Sequence, residues 1–145
     1  MVVKRGAELG LVFLFDGFSP FDANETGKFL LLAVGNPKAR IIVAHIAGPR
    51  FAEITMFAMV KQFEWWPKNV WFGLSATSHT FVGSPFADQL VWVTRQIGID
   101  RIVFGSDYPV DTPEHAVQDV ERLGYIAPEL RAIFHDNAAQ LLGLD

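Results

Sequence analysis

Four polar side chains stand where apolar runs stop. Asp16 follows "LVFLF", His45 follows "IIVA", Ser75 follows "VWFGL", and Asp107 comes just after "IVFG". They succeed one another at intervals of 29, 30 and 32 residues. A buried run that ends on a carboxylate is uncommon for packing alone. A carboxylate and an imidazole that share one space offer lone pairs to a divalent ion; the mixed oxygen and nitrogen set suits zinc and also admits manganese or iron. The same pair serves acid–base chemistry, with Asp107 taking a proton from metal-activated water and His45 giving one to a leaving group. His45 and Asp107 are therefore the candidate catalytic residues, and Asp107, His45 and Asp16 the candidate metal ligands. Ser75 reads as a hydrogen-bonder that orients its neighbours.

Plainer readings compete. Asp107 before Tyr108-Pro109, and Asp16 before Gly17, both suit turns. His45 could be a satisfied strand-end histidine. His79 in "SATSHT" falls in a loop that could line a pocket, His115 in the first turn of a helix, and His135 in the last turn of another, where a cation suits the helix dipole. None of these three is read as a ligand. "FLFDG" also has the strand-end Asp of haloacid dehalogenase-type phosphotransferases, but the position of the nucleophilic carboxylate holds Leu14.

The elements that position these groups follow from the pattern between them. The runs Leu11–Phe15, Ile41–Ala44, Val70–Leu74 and Ile102–Gly105 are continuous and rich in β-branched and aromatic residues, which predicts parallel strands buried on both faces. Helical spacing follows each. Phe29, Leu30, Leu32 and Ala33 precede a stop at Gly35-Asn36-Pro37. Phe51, Ile54, Phe57, Ala58 and Val60 follow Pro49, and Leu90, Val91, Val93 and Ile97 end at Gly98. Thr112 reads as an N-cap with Pro113 at the first helical position and Gly124 as the stop. Two short helices close the chain, from Pro128 to about His135 and from an Asp136 cap through Leu142. The four tryptophans read as packing residues, with Trp65-Trp66 as an alternative subunit contact. The class is α/β, with four parallel βα units and right-handed crossovers. The spacing of about 30 residues matches the units of a (β/α)8 barrel, whose ligands bind at the carboxyl ends of the strands.

The 145 residues suit a single domain, 1–145, with a genuine core. Half are hydrophobic and the formal charge is −4 without a basic stripe, so nucleic acid is not an expected partner. Without cysteine there is no thiolate metal site, disulfide or cysteine nucleophile, which is compatible with a cytoplasmic protein. The opening "MVVKRGAELGLVFLF" is too short in its apolar part for a signal peptide, and no run reaches the roughly 18 apolar residues of a membrane span.

"RIVFGSDYPVDTPEHAV" and "IFHDNAAQLLGL" together resemble the end of the amidohydrolase-2 family, metal-dependent TIM-barrel hydrolases and decarboxylases. The family ends its eighth strand in G-[ST]-D-[YW]-P, matched by Gly105–Pro109, and closes on N-A-x-x-L-[LF]-G-L, matched by Asn137–Leu144. "IIVAHIAGPRF" resembles its sixth-strand block H-x-G-G, with Ala47 in place of the first glycine, and "VWFGLSATSH" resembles its seventh strand. The resemblance implies that Asp107 is a metal ligand and water-activating base, and that His45 is a ligand or an acid–base group. Asp16 stands where the family often has a fifth-strand histidine. The first-strand H-x-H pair is absent, and only four units are present. The chain therefore resembles the carboxyl-terminal half of a barrel, with two open edges and an uncovered inner face.

Such a surface predicts a homo-oligomer, association with a missing amino-terminal half, or repacking as an open sheet. Two functions are expected from different classes. One is a hydrolase or non-oxidative decarboxylase acting on a small molecule. The other is a catalytically incomplete half-barrel serving as an assembly module.

Overall fold

The four apolar runs form β1 (Val12–Phe15), β2 (Arg40–Val43), β3 (Val70–Gly73) and β4 (Ile102–Val103). In the computed structural model, which describes residues 2–144, all four are parallel and lie in chain order in one sheet. The register sets Leu14 beside Ile42, Ile42 beside Trp71, and Gly73 beside Val103. Because side chains alternate along a strand, these residues share one face, and Phe13, Ile41, Val43, Phe72 and Ile102 share the other.

That second face is the core. Ile41, Val43, Phe72 and Ile102 are buried in one hydrophobic cluster. The cluster also takes in Ala33 of α2 (Glu25–Gly35), Phe57 of α3 (Thr55–Val60) and Leu90 of α5 (Ala87–Ile97). The Phe57 ring meets Phe72 edge-on at 4.9 Å and Trp66 at 5.7 Å. Burying a side chain such as Phe72 contributes roughly 1.5–3 kcal/mol. The remaining helices are α1 (Val2–Glu8), α4 (Thr77–Phe81), α6 (Pro113–Arg122), α7 (Ala127–Arg131) and α8 (Asn137–Leu142). Thr112 caps α6 as expected, its hydroxyl accepting from the His115 amide at 3.2 Å, with Pro113 first in the helix.

The first face is open, which corrects the expectation of strands buried on both sides. Leu14 is 69% exposed, and Ile42 and Trp71 are half-buried. The apolar run continues through these positions, but the helices pack on the opposite face. Leu14, Ile42 and Val103 instead line a trough of about 650 Å³.

Three further differences have local causes. β4 ends at Val103 rather than Gly105, because the Phe104 amide leaves the ladder and donates to the Ile133 carbonyl at 3.0 Å. Asp136 does not cap the last helix. Its carboxylate pairs with Arg131 and His135, and a π turn (Ala132–Asp136) joins α7 to α8 without a break. Asn137, the next residue, is buried and donates to the carbonyls of Ile99 and Ile102 at 2.6 and 2.7 Å, which docks the terminal helix under β4. Among the tryptophans, only Trp66 is buried. Trp92 lies on the solvent side of α5, Trp65 stacks on Phe63, and Trp71 sits beneath the Arg101 guanidinium.

Candidate functional site

Asp16, His45, Ser75 and Asp107 all follow the carboxyl ends of their strands and line the upper end of the trough. The backbone that carries them is strained. His45, Ile46 and Ala47 have φ of 60°, 44° and 63°, and Gly48 follows at φ 53°, ψ −131°, a region essentially reserved for glycine. A β-branched Ile46 in the left-handed region is a genuine outlier. Asp107, at φ 67°, is left-handed as well. Such conformations persist where their surroundings over-determine them. Here Ile46 is fully buried, and the Thr77 hydroxyl donates to the His45 carbonyl. Gly17 lets the loop after β1 cross the end of β2: a Cβ there would stand 2.1 Å from the Ala44 carbonyl oxygen. That close crossing brings Asp16 over His45.

The His45 ring is held from beneath. Its Nδ1 lies 3.3 Å from the Ser75 carbonyl and 3.2 Å from the Ser75 hydroxyl. A carbonyl only accepts, so this contact assigns the proton to Nδ1. Nε2 then faces Asp16 Oδ1 at 3.7 Å and Asp107 Oδ1 at 3.9 Å. Three electron-rich atoms pointed at one space repel unless a proton or a cation lies among them. An imidazole whose far nitrogen is fixed by a hydrogen bond is the usual form of a metal-bound histidine. By donor chemistry the three residues fit a divalent ion. By spacing they form an open fork: Asp16 and Asp107 flank Nε2 but do not make, with it, a group whose ligand atoms all lie within 4.8 Å of one another.

The plainer readings separate at this point. Asp16 also accepts from the Phe18 amide at 3.0 Å and so does shape its turn. The Asp107 side chain does not. The turn after β4 is closed by the Ser106 hydroxyl, which accepts from the Tyr108 amide at 3.2 Å, and by the Asp107 backbone carbonyl, which accepts from the Val110 amide at 2.8 Å; no hydrogen bond among the described residues ends on the Asp107 carboxylate.

His135 lies in the π turn beside Asp136, 2.9 Å from its carboxylate. His79, whose loop position left lining the pocket open, turns instead to α6, where its Nδ1 meets the buried Asp119 at 2.9 Å. His79, Asp111, His115 and Asp119 form a group with ligand atoms within 4.8 Å of one another. Sequence reasoning missed it, although Asp111, His115 and Asp119 recur every four residues, the spacing that lines groups up along a helix.

A family model described as amidohydrolase matches residues 4–144. The chain belongs to the amidohydrolase-2 family. No curated protein matches it. Three solved structures resemble this amidohydrolase-2 chain with TM-scores of 0.65–0.68. A 2,6-dihydroxybenzoate decarboxylase complexed with 2,6-dihydroxybenzoate is 19% identical, with 97% of this chain and 53% of that one covered. Amidohydrolase 2 from Bifidobacterium longum subsp. infantis is 18% identical, covering 99% and 54%. A dihydroxybenzoic acid decarboxylase from Polaromonas sp. JS666, with bound manganese and 2-nitroresorcinol, is 16% identical, covering 96% and 52%. These likenesses establish the fold: the four parallel βα units of the amidohydrolase-2 chain are of TIM-barrel type, and the chain spans about half the length of the structures it resembles.

Proposed function

We propose that this chain carries the carboxyl-terminal half of a metal-dependent hydrolase or non-oxidative decarboxylase, as a single domain over residues 1–145. His45, Asp16 and Asp107 hold a divalent ion of the zinc, manganese or iron class at the strand tips. The observation that carries the reading is the orientation of His45. Its Nδ1 is tied to Ser75, and its Nε2 faces two carboxylates. The manganese bound by the Polaromonas decarboxylase supports the class of ion.

A bound ion supplies Lewis acidity and brings the ionisation of water near neutral pH. The chain's own residues do the rest. Asp107, with no hydrogen bond on its carboxylate among the described residues, takes the proton from the attacking water. Ser75 fixes the His45 tautomer. The trough below the rim, with its Leu14, Ile42 and Val103 floor, admits a small, largely apolar body such as a carboxylated ring. A second copy, or an amino-terminal half bearing the H-x-H pair, closes the trough and completes the coordination.

The metal content of the purified chain tests this. The variants His79→Gln and His115→Gln are included to keep the second His/Asp group out of the count. That protein is expected to retain zinc or manganese, and adding Asp107→Asn or His45→Gln is expected to weaken binding by about tenfold or more. Equal metal content in all of them overturns the reading.

A second reading has its own support. The open inner face and the absence of an H-x-H pair suit a catalytically incomplete half-barrel that serves as an assembly module. It predicts association through the trough with no metal dependence.

A further inference from the structure

The second group of metal-ligating side chains lies between α4 and α6, outside the strand-tip site. His79 projects from α4. Asp111 precedes α6, and His115 and Asp119 lie on it one and two turns further on. Asp119 is the buried member, its side chain only 2% exposed, while His79 and His115 are 59% and 46% exposed. A buried carboxylate is costly unless a positive charge meets it. The one hydrogen bond on Asp119 among the described residues comes from the His79 ring. Arg122 stands 3.6 Å away with its side chain largely in solvent.

The distances suit an ion. Asp119 Oδ2 is 2.9 Å from His79 Nδ1 and 3.8 Å from His115 Nε2. A tetrahedral ion with bonds near 2.0–2.1 Å spaces its ligand atoms about 3.3 Å apart, between those two values. The other nitrogen of His115 is already committed: Nδ1 donates to Asp111 Oδ1 at 2.8 Å. This carboxylate–imidazole arrangement fixes the tautomer and turns Nε2 outward as a ligand. The two rings stand 5.0 Å apart between centroids and tilted, so neither blocks the other's approach.

We propose that His79, His115 and Asp119 bind a zinc-class divalent cation, which replaces the proton between His79 Nδ1 and Asp119 and releases it to solvent, with Asp111 orienting His115. The ion would join α4 to α6. The segment before α4 contains Ser75 and leads into Thr77, which together hold His45, and the segment before α6 carries Asp107. A clamp here therefore fixes both sides of the strand-tip rim from outside the trough. The proposal stands whether or not the rim itself binds metal.

Titration of the full chain with Co(II), and then with Zn(II), tests it. His45→Gln and Asp107→Asn are present to silence the rim. One equivalent of Co(II) should give the intense visible bands of a four-coordinate site, and Zn(II) should displace it. His79→Gln and His115→Gln, both at half-exposed positions that glutamine can fill, should each lower affinity about tenfold or more, and Asp111→Asn about tenfold through lost orientation. Circular dichroism checks that each variant is folded. Absence of stoichiometric binding, or binding unchanged in the two histidine variants, overturns the proposal.

Discussion

His45 Nε2 lies 3.9 Å from Asp107 Oδ1, although the two follow strands that are not neighbours. β3 runs between β2 and β4, and its end supplies Ser75, which grips the other side of the imidazole. With Asp16 after β1, the geometry of the candidate centre thus depends on all four strand tips, and Ser75 is the piece with no ionisable group. Ser75→Ala keeps the carbonyl contact and removes the hydroxyl. It is expected to weaken zinc binding at the rim about tenfold, as loss of an outer-shell partner does. Isothermal titration calorimetry in the His79→Gln, His115→Gln background measures it, and an unchanged affinity would remove Ser75 from the site.

The strained loop after β2 makes a stability prediction. Gly48→Ala places a Cβ on a φ of 53° and 2.7 Å from the Phe18 ring, and is expected to cost about 1–3 kcal/mol. Gly35→Ala, at the end of α2 with nothing within 4 Å, is expected to stabilise by roughly 0.4–1 kcal/mol. Urea unfolding of both variants decides it; equal effects would mean that the loop is not held in the conformation described.

Acid stability should run through α7. Arg95 hydrogen-bonds both oxygens of Glu129 at 2.8 Å, and the Ile126 amide adds a third bond at 2.9 Å. The Arg95 hydrogen bonds, helped by the Ile126 amide, hold the Glu129 carboxyl below its ordinary range. A lowered folded value means stability that is present above the unfolded pKa of about 4.3 and lost as pH falls through the folded one. Glu129→Gln should therefore flatten the loss of stability below about pH 4.3. Identical acid unfolding curves for variant and parent would show that the pair contributes nothing.

The open face predicts association. Leu14, 69% exposed on the inner side of β1, is the residue where an introduced charge should matter most. At micromolar concentration the chain is expected to sediment as a dimer or larger, and Leu14→Lys to shift it toward monomer. A parent chain that is monomeric at every concentration contradicts this.

Much of this was legible in the sequence because strand tips and helix caps are local. The runs that stop at Asp16, His45 and Ser75 announced their strands, and Thr112-Pro113 marked its helix start. What was missed depends on which face a residue meets. Leu14 and Ile42 continue an apolar run like any buried pair, and only the placement of the helices leaves them open. Ala47 gives no hint that it sits left-handed. The four-residue recurrence of Asp111, His115 and Asp119 was there to be read, but the ligand that completes the group, His79, comes from a different helix.

The most direct test of the central claim watches the two nitrogens of His45. In the chain bearing His79→Gln and His115→Gln, long-range nitrogen–proton NMR of the imidazole is recorded before and after adding Zn(II). The account predicts a proton on Nδ1 throughout and a zinc-dependent shift confined to Nε2, which disappears in Asp107→Asn. A His45 Nε2 resonance that ignores zinc would contradict it.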